Sequence, residues 1–128
     1  MVLIYYCNLG LKKHALSRRV YIRSRYNVKF EYRILIQFEK SELKKVWKFK
    51  FRYFEKNNTS KEGALHVSSW TRIQRTSHPR FYRFIEFVPK TLVETKPGWD
   101  DVYVFLEVFD PSGVKKAEST SNVIKVLL

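Results

Sequence analysis

The strongest constraint in this sequence is an alternation that runs from Val20 to Phe38. Val20, Ile22, Ser24, Tyr26, Val28, Phe30, Tyr32, Ile34, Ile36 and Phe38 share one parity, while Arg19, Arg23, Arg25, Lys29, Glu31, Arg33, Gln37 and Glu39 take the other. A period of two is the mark of a strand, because successive side chains point to opposite faces. The run therefore predicts an oily face backed by a basic one, with Tyr21 and Leu35 as apolar exceptions on the basic side. It exceeds an ordinary strand in length, and Ser24 to Asn27 is the expected place for a bend or bulge dividing it in two.

The remaining strands follow from the same logic. Met1 to Cys7 reads as a first strand, Asn8 to Gly10 as a turn and Leu11 to Arg19 as a basic connector. Lys45 to Phe54 alternates Trp47, Phe49, Phe51 and Tyr53 against Lys48, Lys50 and Arg52, and a polar loop ends it at Lys56 to Ser60. Ala64 to Ile73 predicts a short strand, Gln74 to Pro79 a loop, and Arg80 to Val88 a strand with apolar residues on both faces, implying cover on both sides. Asp101 to Phe109 is the clearest strand of the C-terminal third. Asp110, Pro111, Ser112 and Gly113 then supply hairpin chemistry, with proline preset for the first corner and glycine free to take positive φ. The return strand is expected to begin at Val114, loosen through Glu118 to Ser121, and finish as Val123 to Leu128.

The expected fold is an all-β, antiparallel two-sheet sandwich of about seven or eight strands. A chain of 128 residues is the size of one domain, residues 1–128, with one core. Hydrophobic residues at 45% and aromatics at 16%, with 4 Gly and 4 Pro, exclude a disordered chain and supply large rings to fill that core. The single cysteine, Cys7, rules out an intramolecular disulfide and is expected to be a small buried hydrophobe. Met1 to Cys7 lacks a charged leader and is too short to cross a bilayer, so no membrane span is expected, and an intracellular or virion setting is favoured.

The last third resembles the immunoglobulin-like and fibronectin type III sandwiches. Trp99 to Phe105 (WDDVYVF) is similar to their sixth strand, where an acidic residue precedes the tyrosine of the tyrosine corner. The resemblance implies that Tyr103 is that corner residue, that Trp47 is the core tryptophan of the third strand, and that Ile34 and Phe105 occupy inward positions. Neither Ile34 nor Phe105 is cysteine, so the intersheet disulfide of antibody domains is absent. The resemblance implies no catalytic residue and little about function, because this sandwich serves many tasks.

Chemistry is sparse. His14, His66 and His78 are far apart and none joins Cys7 at a metal-ligand spacing, no serine sits in a nucleophile elbow, and no glycine-rich phosphate loop exists. Asp100 and Asp101, just before a strand, suit turn hydrogen bonding better than catalysis. No enzyme activity, metal or cofactor is expected. Charge says more: 25 Lys+Arg against 12 Asp+Glu give +13, and residues 1–90 hold 21 basic and 6 acidic side chains, net +15. A field of that sign draws acidic proteins or nucleic acid by attraction that salt weakens.

Two basic faces are candidates for that partner: Arg19, Arg23, Arg25, Lys29 and Arg33 on one sheet, and Lys48, Lys50 and Arg52 on the other, with Arg72, Arg75 and Arg80 beside Trp70 and Tyr82. If Trp47 and Tyr103 point inward, then Val102, Val104, Leu106 and Val108 form an exposed apolar docking stripe next to the lysines. If parity is reversed, they are core. The leading expectation is a non-catalytic structural or docking module of a larger assembly, such as a viral particle or nucleoprotein, set against an acidic protein and possibly homo-oligomeric. The alternative is a sequence-nonspecific nucleic-acid binder.

Overall fold

The computed structural model describes residues 2–11, 27–56, 64–89 and 99–127. It contains eight strands: β1 (Leu3–Leu11), β2 (Asn27–Gln37), β3 (Val46–Glu55), β4 (His66–Ile73), β5 (Arg80–Pro89), β6 (Trp99–Phe109), β7 (Lys115–Thr120) and β8 (Ile124–Leu127). They form two antiparallel sheets. One has the order β1-β2-β5; the other has the order β4-β3-β6-β7, with β8 also paired to β6. A 3-10 turn, Lys40–Glu42, crosses between the sheets, closed by the Glu42 carboxylate accepting the Glu39 N–H at 3.0 Å.

Parity in β2 is as the alternation predicts. Phe30, Tyr32, Ile34, Ile36 and Phe38 are buried and face Trp47, Phe49, Phe51 and Tyr53 of β3, which are buried too. The two rows interlock ring against ring: Tyr32 stacks on Phe51 with centroids 4.3 Å apart, Phe30 tilts onto Tyr53 at 4.9 Å, and Phe38 meets Trp47 edge-on at 4.9 Å. Such pairs add to plain area burial because ring edge and ring face carry opposite partial charge. Trp47 also donates its Nε1–H to the Glu42 carbonyl at 3.2 Å, so its polar atom is satisfied inside the core.

The β6 stripe is corrected by register. Phe49 pairs with Val108, Phe51 with Leu106 and Tyr53 with Val104. Residues directly opposite in an antiparallel pair share a face, so once the β3 rings are inside, these partners must be inside. Val102, Val104, Leu106 and Val108 are completely buried and are core, not a docking surface. Tyr103, on the opposite parity, points outward and stacks on Phe54 at 5.5 Å, so it is not an inward corner tyrosine, and Phe105 is likewise outward and half-buried.

Other expectations shift for local reasons. Asn8 to Gly10 continue β1 instead of turning, because each pairs with β2. At that point the Asn122 carboxamide accepts the Leu9 N–H at 2.8 Å and donates to the Leu9 carbonyl at 3.0 Å, tying the free edge of β1 to the other sheet. The return strand breaks at Ser121–Val123, where Ser121 serves Val104 as a strand would: its Oγ accepts the Val104 N–H and its N–H reaches the Val104 carbonyl, both at 2.8 Å. Asp100 and Asp101 lie inside β6, not on a turn before it. The Asp110–Gly113 turn forms as expected, with Gly113 at φ 87°. The outer face of β5 lacks the expected cover among the described residues: Phe81, Ile85 and Phe87 are exposed. Asn27 opens β2, whereas Arg19, Tyr21, Arg23, Arg25 and the bend expected over residues 24–26 lie outside the described residues.

Leu106→Ala is expected to cost about 2–5 kcal/mol of unfolding free energy in urea denaturation, the cost of a methylene-lined cavity. A change under about 0.5 kcal/mol would return β6's even-numbered side chains to the surface.

Candidate functional site

The site is built on the outer face of the larger sheet, where β3, β4 and the end of β6 meet. Because Trp47, Phe49 and Phe51 point inward, Val46, Lys48 and Lys50 point outward. Register sets Val46 opposite Ile73, Lys48 between Thr71 and Phe109, and Lys50 between Ser69 and Glu107. Two adjoining depressions follow, sharing Val46 and Thr71. One is lined by Val46, Thr71, Arg72, Ile73 and Arg75; the other adds Lys48, Lys50, Phe109 and the 110–113 turn. Together they make one shallow groove with an apolar floor and a cationic rim.

The candidate cations fall into two groups. Some are already neutralised. Arg52 Nε bonds Glu107 at 2.6 Å, and Lys115 approaches the other oxygen of the same carboxylate at 3.7 Å. Arg33 and Arg83 both bond the buried Glu31 carboxylate, at 2.8 and 2.9 Å, on the outer face of the smaller sheet. Lys29, on that same face, sits 5.1 Å from the Phe87 ring centroid. In contrast, Lys48, Lys50, Arg72, Arg75 and Arg80 have no carboxylate partner among the described residues. Four of these five line the groove. Arg80 stands at the start of β5 with its guanidinium 5.4 Å from the Tyr82 ring.

The one carboxylate in the groove wall is spoken for. Asp110 accepts hydrogen bonds from Ser112 Oγ at 2.7 Å and from the Ser112 and Val114 N–H groups at 2.9 Å each. The Ser112 side chain, then the Val114 amide, hold its pKa below the usual carboxylate value. Its carboxylate is engaged in closing the turn.

The aromatic neighbours of the arginines are not open platforms. The Arg72 guanidinium lies 5.4 Å from the Phe84 ring centroid and 5.8 Å from that of Trp70, a cation–π arrangement that covers the rings and steadies the arginine. Its Nη1 also donates to the Thr71 carbonyl at 3.3 Å.

A second polar cluster, missed at the level of sequence, lies between β4 and β5. His66 Nε2 meets Glu86 Oε1 at 2.8 Å, although twenty positions separate them. Tyr53 packs on the His66 ring at 5.5 Å, and the Tyr53 hydroxyl and Glu86 Oε2 are buried without a hydrogen-bond partner among the described residues. Burial first, then the Glu86 charge, raises the Tyr32 pKa far above its ordinary value. No spacing rule joins His66 to Glu86; only the packing of two sheet edges does. Cys7 is buried in the core, which pushes its thiol pKa up to about 12 and leaves it a packing residue.

Among the described residues no three His, Cys, Asp or Glu side chains converge as metal ligands, and no described helix is long and apolar enough to cross a membrane. Comparison with protein-family models, curated proteins and solved structures finds no match to this chain.

Tyr53→Phe is expected to leave stability unchanged or raise it by up to about 1 kcal/mol, since the deleted hydroxyl has lost its water without gaining a partner. A loss larger than that in thermal or chemical denaturation would mean that the hydroxyl is bonded.

Proposed function

We propose that this chain is a non-catalytic docking module of immunoglobulin-like type, which holds an acidic protein partner in the groove on the outer face of its larger sheet. The observation that carries the reading is the grouping of Lys48, Lys50 and Arg75, none bonded to a carboxylate among the described residues, around the apolar side chains of Val46, Ile73 and Phe109, with Arg72 at the adjoining edge. Apolar burial supplies affinity and the charges steer encounter and orientation. The strand order supports the immunoglobulin-like part: first, second and fifth strands in one sheet and third, fourth, sixth and seventh in the other, as in fibronectin type III sandwiches, with the eighth also paired to the sixth. Trp47 and Ile34 in the core fit it as well.

The same cations attract phosphate, but a single strand of nucleic acid also needs ring faces for its bases. Here the rings beside Arg72 and Arg80 carry guanidinium groups, and the groove floor is aliphatic apart from Phe109. Those features favour a protein segment.

The test compares Lys48→Glu/Lys50→Glu with Arg33→Glu, whose guanidinium is tied to Glu31, in co-purification with the native partner at rising salt. The groove variant is expected to lose at least about tenfold in affinity, while the wild-type complex weakens as salt rises. Equal retention by both variants, or steep salt-dependent binding of nucleic acid with no protein retained, would contradict the reading.

A further inference from the structure

We propose that the acidic partner enters as an extended segment that adds a strand to the free edge of β4, a step that rests on the docking reading above. Strand edges present unpaired backbone donors and acceptors, and most folds blunt them. Three of the four edges among the described strands are blunted. On β1, a bulge between Ile4 and Tyr6 interrupts the ladder and Asn122 occupies the Leu9 backbone. The β7/β8 edge is bulged at Val108/Phe109, broken at residues 121–123 and carries Lys115, Lys116 and Glu118. Arg80, Arg83, Glu86 and Pro89 punctuate β5.

Among the described residues β4 has no such device. Its register against β3 is unbroken from His66 to Ile73, and its sequence, HVSSWTRI, holds no proline, lysine or carboxylate. The Gln74 N–H bonds the Lys45 carbonyl at 3.1 Å and fixes the phase of the ladder. By alternation, His66, Ser68, Trp70 and Arg72 exchange hydrogen bonds with β3, and the backbone groups of Val67, Ser69, Thr71 and Ile73 face the open edge. One of these is partly engaged: Arg72 Nη1 reaches the Thr71 carbonyl at 3.3 Å. A strand laid there runs beside the groove, because Thr71 and Ile73 belong to both. Its outward carboxylates meet Arg75 and Lys48, and its apolar residues extend the Val46–Ile73 floor. Main-chain pairing gives affinity, and the alternation of acid with apolar residue gives selectivity.

The test uses a short synthetic peptide alternating glutamate and valine, and the same peptide N-methylated at alternate residues. Amide exchange at Val67, Ser69, Thr71 and Ile73 is expected to slow by about tenfold or more with the first peptide and to stay unchanged with the second. Ser69→Pro removes an outward N–H at an edge, where proline is tolerated, and is expected to lose about tenfold in affinity. No protection at these amides, or undiminished binding by the N-methylated peptide, overturns strand addition. If Lys48→Glu/Lys50→Glu weakens the peptide while Ser69→Pro and N-methylation do not, docking in the groove stands and strand addition falls. If none of the three matters, both fall.

Discussion

The stack of Tyr32 on Phe51 is the contact on which the rest depends. It joins the central strand of the smaller sheet to a central strand of the larger one, with ring planes 21° apart and centroids at 4.3 Å. Strand side chains alternate, so fixing one ring on each strand fixes the direction of every other side chain along it. From Tyr32 inward follow Phe30, Ile34 and Ile36; from Phe51 inward follow Trp47, Phe49 and Tyr53. Through the pairing of β3 with β6, the same contact sends Val104 and Leu106 inside and Tyr103 and Phe105 outward. The position of Lys48 and Lys50 on the surface is therefore a consequence of aromatic packing on the other side of the sheet.

How much of this was legible in the sequence depended on whether a strand has two different faces. β2 and β3 alternate rings with charges, and their buried parity could be read directly from Phe30 to Phe38 and Trp47 to Tyr53. β6 is apolar on both parities, so the local pattern could not choose between valines and aromatics; only register with β3 does. The placement of Lys48 and Lys50 was readable for the same reason as Trp47. Their freedom was not, since Arg52 finds Glu107 fifty-five positions away and Arg33 shares Glu31 with Arg83 of another strand. Val46 has the parity of the lysines and was within reach of the pattern. Ile73 and Phe109 enter the groove through registers no spacing reveals.

Charge in this chain is thus less uniform than +13 implies. The smaller sheet spends Arg33 and Arg83 on a buried glutamate and leaves an outer face of exposed rings and aliphatics, among them Tyr5, Phe81 and Phe87. The larger sheet spends Arg52 on Glu107 and keeps Lys48, Lys50 and Arg75 together around an apolar floor, with Arg72 at its edge. Neutralised cations add little to long-range attraction, so among the candidate cations of the described residues Lys48, Lys50 and Arg75 keep the most charge for it. Among the described residues, the most regular strand edge, that of β4, lies beside these cations.

The most direct test of the account is a double-mutant cycle between its two stacked rings, Tyr32→Leu and Phe51→Leu, read by urea denaturation. The account predicts a coupling of about 0.5–1.5 kcal/mol beyond the sum of the single changes, the value for a facing aromatic pair. Strict additivity would mean that the rings do not face each other across the sandwich. The register of both sheets, and with it the groove, would then be wrong.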